Sequence, residues 1–135
     1  MAYPAFPSAG VGNVFTLTQT YSNAATAAAD VTKAAANTLP FAVICRGVEG
    51  FAQVIGGTTV HTDVDLVVLS GSTTLATLAV VNSSTRSTVP LTATVAAANQ
   101  KIAAGTVLSF NIDITDGSSP TCDGISVTYW LERAL

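Results

Sequence analysis

The residue types best suited to metal chemistry lie in one stretch around His61, the only histidine of the chain. Asp63 and Asp65 follow it, and residues two apart point to the same face of a β-strand. One imidazole and two carboxylates could hold a divalent cation, and the two carboxylates could also be read as a glycosidase pair. Such a pair normally joins carboxylates from different elements across a cleft. We therefore interpret the three residues as the polar outer face of a half-exposed strand.

A second acidic group, Asp113, Asp116 and Asp123, surrounds the last polar loop of the chain. Its oxygens suit calcium, but the spacing follows no EF-hand, and aspartate is also a common turn-capping residue. No phosphate-binding loop is predicted, because the required order is absent from the glycines between strand-like runs, Gly47, Gly50, Gly56 and Gly57. No GxSxG motif accompanies the single histidine. We therefore predict that the protein is not an enzyme and needs no cofactor or metal.

Two cysteines, Cys45 and Cys122, show neither metal-binding spacing nor a CxxC pair. We interpret them as buried small hydrophobic residues or free thiols, with a disulfide between them as the alternative. No apolar run approaches the ~20 residues that span a bilayer. The first residues, 1–7, lack the charge and apolar stretch of a secretory signal. We therefore expect a protein made in the cytoplasm without a signal peptide and without a membrane partner.

The composition is unusually poor in charge. Of 135 residues, 49% are hydrophobic but only 10% are charged, whereas typical soluble domains carry roughly 25% charged residues. The surface must therefore consist of small polar and apolar side chains, or be covered by partners. Only five Lys and Arg residues are present and the net charge is −3, which excludes the basic surface of a nucleic-acid-binding protein.

Alternation of apolar and polar residues predicts short antiparallel strands through most of the chain. Eight such runs are separated by turn residues, which is typical of a sandwich or jelly roll; they are 14–20, 41–46, 51–55, 58–69, 74–81, 88–95, 106–115 and 124–132. Pro90 places one of them at a sheet edge or bulge. We predict an all-β, antiparallel β-sandwich of jelly-roll type over residues 14–135, preceded by an extended arm over 1–13. The alanine-rich stretch 24–38 is predicted as a short helix or a loop.

The last strand separates two sets of side chains. One set is Ile125, Val127, Tyr129 and Leu131, and the other is Ser126, Thr128, Trp130 and Glu132. Trp130 therefore lies on the face opposite the apolar set. Tryptophan is enriched at binding surfaces, so we predict Trp130 at a subunit interface. The alternatives are a place under the N-terminal segment, or a sugar-binding platform with Tyr129, Tyr21 and Tyr3.

The C-terminal half also carries a recognisable order of motifs. Residues 102–108, IAAGTVL, lead into an alternating strand, a polar loop and then residues 124–131, GISVTYWL, and the stretch 73–77, TTLAT, lies upstream of them. This order resembles small jelly-roll virion proteins of tailed bacteriophages, namely capsid decoration (cement) proteins and head-fibre modules, over residues 39–132. The resemblance implies a jelly-roll homotrimer that binds the major capsid protein on the outer surface of the phage head and stabilises it. It implies no catalytic residues.

The functional expectation is therefore a structural virion protein located on the capsid surface. From their expected exposure, we predict that Tyr3, Phe6 and Phe15 contact the capsid and that Trp130 lies between subunits. The alternative is a carbohydrate- or receptor-binding sandwich, a head-fibre or tail-associated module that attaches to host-surface glycans. That alternative predicts an exposed aromatic cluster around Trp130 and Tyr129.

Overall fold

The computed structural model describes residues 14–21, 30–56, 63–81, 91–114 and 121–134. Within these ranges the chain forms nine strands and one short 3-10 turn, Ala97–Asn99. The strands are β1 Val14–Tyr21, β2 Val31–Thr38, β3 Val43–Gly56, β4 Asp63–Ser70, β5 Thr73–Val81, β6 Leu91–Thr94, β7 Lys101–Ile102, β8 Val107–Ile114 and β9 Thr121–Arg133. None of the described elements is a helix long and apolar enough to cross a membrane.

The strands form two antiparallel sheets that pack face to face. The five-stranded sheet has the order β1-β9-β3-β6, with β7 also paired to β3, and the four-stranded sheet has the order β2-β8-β4-β5. Since β6 pairs with Gly47–Gly50 and β7 with Val43–Ile44, these two strands share one edge position, interrupted by the 3-10 turn. Eight strand positions in this alternating order are those of a jelly roll, which confirms the predicted all-β antiparallel sandwich; residues 1–13, predicted as an extended arm, lie outside the described ranges.

The core lies between the two sheets and is built from the alternating side chains of the central strands. In β9 the residues Ile125, Val127, Tyr129 and Leu131 are buried, and in β8 the residues Leu108, Phe110 and Ile112 are buried. This is the alternation that the sequence shows in both strands. Burial of each such aliphatic or aromatic side chain stabilises the fold by roughly 1.5–3 kcal/mol. The two sheets are therefore held together mainly by the strands whose pattern is clearest.

The prediction of a helix or loop over 24–38 is wrong for its second half, because residues 31–38 form β2. Residues 24–29 lie outside the described ranges. Helix propensity is a weak preference that tertiary context overrides, and here β8 provides a partner strand for Val31 and for residues 35–38. The pairing shifts register between Val31 and Ala35. Within this bulge Lys33 has a φ of 51°, and its backbone N–H donates to Asn111 Oδ1 at 2.8 Å.

The two short runs predicted at 41–46 and 51–55 are parts of one long strand, β3. Two features of β3 shape the sheet, a close contact at Gly50 and a bulge next to Gly47. A Cβ on Gly50 would collide with Leu78 and lie 3.2 Å from Leu66 on the opposite sheet, so the missing side chain lets the sheets approach closely. A bulge between Cys45 and Gly47 makes Arg46 the extra residue of β3.

Cys45 is a free, buried thiol, as the first of the two interpretations expects. Burial raises its pKa from 9.0 to about 12, because the thiolate would lose its hydration. Cys122 pairs with Ile55, ten residues along β3 from Cys45. At about 3.3 Å per residue the two cysteines are on the order of 30 Å apart, far beyond the ~7 Å limit between Cα atoms for a disulfide. The alternative of a disulfide within the chain is therefore excluded.

Candidate functional site

The outer face of the five-stranded sheet carries a regular array of small hydroxyl side chains. These residues alternate along β1, β6 and β9 with the buried or half-buried residues that face the core. We call this surface the threonine face. It consists of Thr16, Thr18, Thr20, Thr92, Thr94, Ser126, Thr128 and Trp130, together with Gly47, Glu49 and Phe51 of the intervening strand β3. The five threonines of β1 and β6 are all exposed. Threonine suits such a surface because its branched side chain fits a pleated sheet while its hydroxyl remains hydrated.

Strand register arranges the threonine face in rows that cross the sheet. One row is Thr16, Trp130, Gly47 and Thr94, and the next is Thr18, Thr128, Glu49 and Thr92. The hydroxyls of Thr18 and Thr128 lie 3.0 Å apart and share a hydrogen bond. With about 4.8 Å between neighbouring strands, each row is on the order of 14 Å wide. Apart from Trp130 in the first row and Glu49 in the second, the side chains of both rows are short, which makes the face shallow and broad.

Trp130 is the largest side chain of the threonine face and lies between Thr16 and Gly47. It points away from the core, as its position in the alternation predicts. The residue is half-buried and its indole nitrogen is covered, which is possible because Gly47 provides no competing side chain beside it. Trp130 therefore presents part of its ring to solvent from a well-supported position. Its role at a subunit interface stays a prediction.

The charges beside the threonine face compensate each other. Arg46 Nε donates to Glu132 Oε2 at 2.8 Å, and Glu132 is only 3% exposed. Arg46 also donates through a terminal nitrogen to Gln100 Oε1 at 3.1 Å, and Gln100 Nε2 donates to the Val95 carbonyl at 2.9 Å. This chain of contacts connects β9, β3 and the edge of the sheet. The acidic side chain at this end of the face is therefore neutralised rather than displayed.

Of the residues considered as metal ligands, Asp63, Asp65 and Asp113 are in strands of the other sheet, Asp123 is in β9, and two lie outside the described part of the chain. His61 and Asp116 are outside it, and the side chains of Asp63 and Asp123 are not described either. Asp65 and Asp113 face each other directly across β4 and β8. Among the described residues, no group of three His, Cys, Asp or Glu side chains could hold a metal ion.

Of the three residues predicted to contact a capsid, Tyr3 and Phe6 lie outside the described ranges. Phe15 is in β1, half-buried, and packs against the core. Its ring meets that of Phe41 edge to face, with centroids 5.8 Å apart and planes at 71°. The guanidinium of Arg133 lies 4.7 Å from the centre of the Phe41 ring. Phe15 thus helps to cover one end of the core and leaves only part of its ring to a partner.

A buried polar contact between the sheets was missed by the sequence reasoning. The Tyr129 hydroxyl donates to Gln19 Oε1 at 2.7 Å and lies 3.0 Å from the Ser109 carbonyl oxygen. Gln19 Nε2 donates to the Leu108 carbonyl at 2.8 Å and to Asn37 Oδ1 at 3.0 Å. We call this group the intersheet clamp, since it joins β1 and β9 of one sheet to β2 and β8 of the other. Its signal in the sequence is the amide of Gln19 on the apolar face of β1.

The intersheet clamp also tests the alternative in which Tyr129 forms part of a sugar-binding platform. Tyr129 is fully buried, and burial raises the pKa of its hydroxyl well above the ordinary value, with a smaller contribution from Cys45. A ring in the core cannot stack on a sugar. The expectation of an exposed aromatic cluster formed by Trp130 and Tyr129 is therefore wrong for Tyr129, because adjacent strand residues point to opposite faces.

Comparison with known proteins gives one structural similarity. No family model matches the chain, and no curated protein matches it. Among solved structures, a chain of infectious bursal disease virus, Gx strain, is similar with a TM-score of 0.45 and 10% sequence identity. The similarity covers 96% of this chain and 42% of the viral chain, so this chain spans less than half of that protein. That virus is not a bacteriophage.

Proposed function

We propose that this protein is a structural virion protein, a decoration or cement protein that binds the major capsid protein on the outer surface of a phage head and stabilises the head as a homotrimer. The observation that carries the proposal is the threonine face. It is a broad, shallow surface of mostly short side chains, with Trp130 in one row and Glu49 in the other, on a jelly roll whose two sheets are closely packed. Because a fold by itself does not define a function, the argument rests on this surface.

The threonine face has the properties of a surface that is covered by protein. Ordering a short side chain costs less conformational entropy than ordering Lys, Arg or Glu, and charged residues are depleted from the cores of interfaces while tryptophan is enriched. The nearest buried charge, Glu132, is already paired with Arg46 at 2.8 Å. Contact with another protein therefore leaves no unpaired charge at that end of the face, while Glu49 in the second row is a carboxylate that the partner must pair.

Multivalency supplies the strength that a single contact of this kind lacks. Linked binding sites convert later contacts into intramolecular events and raise avidity by about 10²–10⁴-fold when the geometry allows simultaneous contact. A trimer offers three copies of each surface to a capsid built from repeated subunits. A stiff sandwich suits this role, since it transmits load between its contacts without rearranging.

Replacing Trp130 by alanine should weaken trimerisation by at least about 30-fold. A tryptophan in the middle of an interface commonly contributes about 2 kcal/mol or more to binding. Light scattering coupled to size-exclusion chromatography, over a dilution series, would give the mass and the dissociation constant. The matched control is Thr77→Ala, an exposed threonine of β5 on the other sheet, which should leave the constant unchanged. A wild-type chain that is monomeric at all concentrations would contradict the trimer.

Deleting residues 1–13 should leave the sandwich folded but reduce attachment to undecorated phage heads by at least about tenfold. The segment contains Tyr3 and Phe6, two of the residues predicted to contact the capsid. Co-sedimentation of purified protein with heads would measure the bound fraction, and circular dichroism would check the fold. Attachment equal to that of the full chain would show that the contact is made elsewhere. Binding of the full chain to heads is itself required by the proposed function.

A further inference from the structure

We propose that a lysine of the neighbouring subunit binds between Glu49 and Trp130 on the threonine face, and that this lysine is Lys33. The inference rests on the proposed function, because it names residues that meet between the subunits of the proposed trimer. Glu49 is the one charged residue among those that define the threonine face. Charged residues are depleted from the cores of interfaces, so a carboxylate in the second row calls for a specific partner.

The carboxylate of Glu49 is uncompensated within its own subunit. Its side chain is half-buried and lies in the row between Thr128 and Thr92. The Thr128 hydroxyl shares its hydrogen bond with Thr18, and no hydrogen bond or ion pair joins Glu49 to any residue in the described part of the chain. Contact with another protein removes water from this carboxylate, and a buried charge without a counter-charge is costly. A partner that covers the face must therefore bring a positive charge to Glu49.

Trp130 makes the same place suitable for a cation. In the pairing of β3 with β9, Trp130 lies opposite Gly47, and Glu49 is two residues further along β3 on the same face. Such diagonal neighbours on adjacent strands are about 7–8 Å apart, within reach of aromatic and long side chains. An ammonium group between them can lie against the indole ring and form an ion pair with the carboxylate. The two side chains together therefore favour a basic side chain over a neutral group.

Two of the basic residues are already engaged within their own subunit. Four of the five Lys and Arg residues lie in the described ranges. Arg46 is bound to Glu132 at 2.8 Å, and the guanidinium of Arg133 lies 4.7 Å from the centre of the Phe41 ring. Moving either group to another subunit would break a contact that the fold already makes.

The other two, Lys33 and Lys101, are exposed, and their ammonium groups have no partner within the described part of the chain. Lys101 pairs with Ile44, whose neighbours Val43 and Cys45 are buried, so Lys101 is on the same side of the sheet as the threonine face. A closed ring of three subunits is built from heterologous contacts, in which two different surfaces meet. Lys33 is on such a different surface, because β2 is an edge strand of the four-stranded sheet.

The backbone fixes the direction in which Lys33 leaves the sheet. The residue is in the bulge between Val31 and Ala35 and has a φ of 51°, a conformation that residues other than glycine adopt at a cost. Its N–H is held by Asn111 Oδ1 at 2.8 Å. Bulges re-aim side chains, and strained backbone is concentrated at functional sites. The bulge thus presents the lysine from a fixed position at the edge of the sheet.

Charge exchange tests the pair in the full-length chain. Glu49→Lys and Lys33→Glu should each raise the dissociation constant of the trimer by at least about tenfold, because either change places like charges against each other. The double variant should return to within about threefold of the wild-type constant, because the ion pair is restored in reverse and the two substitutions are coupled. Light scattering coupled to size-exclusion chromatography over a dilution series would measure the constants, and circular dichroism would check the fold.

Lys101→Glu is the matched control, since it makes the same change in net charge at an exposed position. It should leave the dissociation constant unchanged and should not rescue Glu49→Lys. Rescue by Lys101→Glu, or a wild-type constant for Glu49→Lys, would overturn the inference and leave the trimer in place. So would a Glu49→Lys trimer of normal stability that no longer co-sediments with undecorated heads, because the capsid would then supply the cation. A monomeric wild-type chain would instead contradict the proposed trimer, and the inference with it.

Discussion

Replacing Arg46 by alanine should lower the free energy of unfolding by about 2–4 kcal/mol. Removing one partner of a buried ion pair costs roughly 3–5 kcal/mol, since the remaining charge stays buried without compensation. Glu132 is that remaining charge, and its side chain is only 4% exposed. The estimate is reduced because the Arg46 side chain is 23% exposed, which lets water approach the vacated space. The variant also removes the donor to Gln100.

Urea denaturation followed by circular dichroism would measure this loss. The matched control is Lys101→Ala, which removes an exposed positive charge from the edge of the same sheet and should change stability by no more than about 0.5 kcal/mol. The double variant Arg46→Met with Glu132→Gln should recover part of the loss, because no buried charge is then left unpaired. A loss as small as that of Lys101→Ala would show that the pair is not needed for stability.

The sequence predicts the last two strands well because their information is local. In β8 and β9 the side chains alternate over eight residues or more, and every buried hydrophobic residue of these strands in the structure belongs to the set that the alternation selects. The same alternation places Trp130 on the outer face of its sheet, between two residues of β9 that face the core. What alternation cannot give is the partner strand. That Trp130 lies between Thr16 and Gly47 follows from the jelly-roll order, which depends on contacts far apart in the chain.

The misassigned stretch shows the limit of local preference. Residues 31–38 carry alanines that favour a helix, and their alternation is interrupted at the bulge around Lys33. Only the presence of β8 as a partner makes this segment a strand. The bulge at Arg46 also interrupts the alternation of β3. Alternation alone therefore does not predict the ion pair between Arg46 and Glu132. An extra residue in a strand changes which side chains lie opposite each other. A single sequence does not show where such a shift in strand register occurs.

Replacing Gln19 by alanine should lower the free energy of unfolding by about 2–4 kcal/mol. The change removes both hydrogen bonds that cross between the sheets from the Gln19 amide, to the Leu108 carbonyl at 2.8 Å and to Asn37 at 3.0 Å. Each typical hydrogen bond contributes about 1 kcal/mol net, and a buried polar group left unsatisfied costs roughly 1–3 kcal/mol. Gln19 is 2% exposed, so its loss also leaves a small cavity in the core.

A double-mutant cycle with Tyr129→Phe would distinguish the stabilisation by the hydrogen bonds of the intersheet clamp from the stabilisation by side-chain packing. The Tyr129 hydroxyl and Gln19 Oε1 are 2.7 Å apart, so the two substitutions should be coupled by about 0.5–3 kcal/mol. Thr20→Ala is the control, because Thr20 is the next residue of β1 and is exposed on the threonine face; it should cost no more than about 0.5 kcal/mol. If Gln19→Ala cost as little as Thr20→Ala, the clamp would not hold the sheets together. If the loss were large but uncoupled from Tyr129→Phe, packing of the Gln19 side chain would account for it instead.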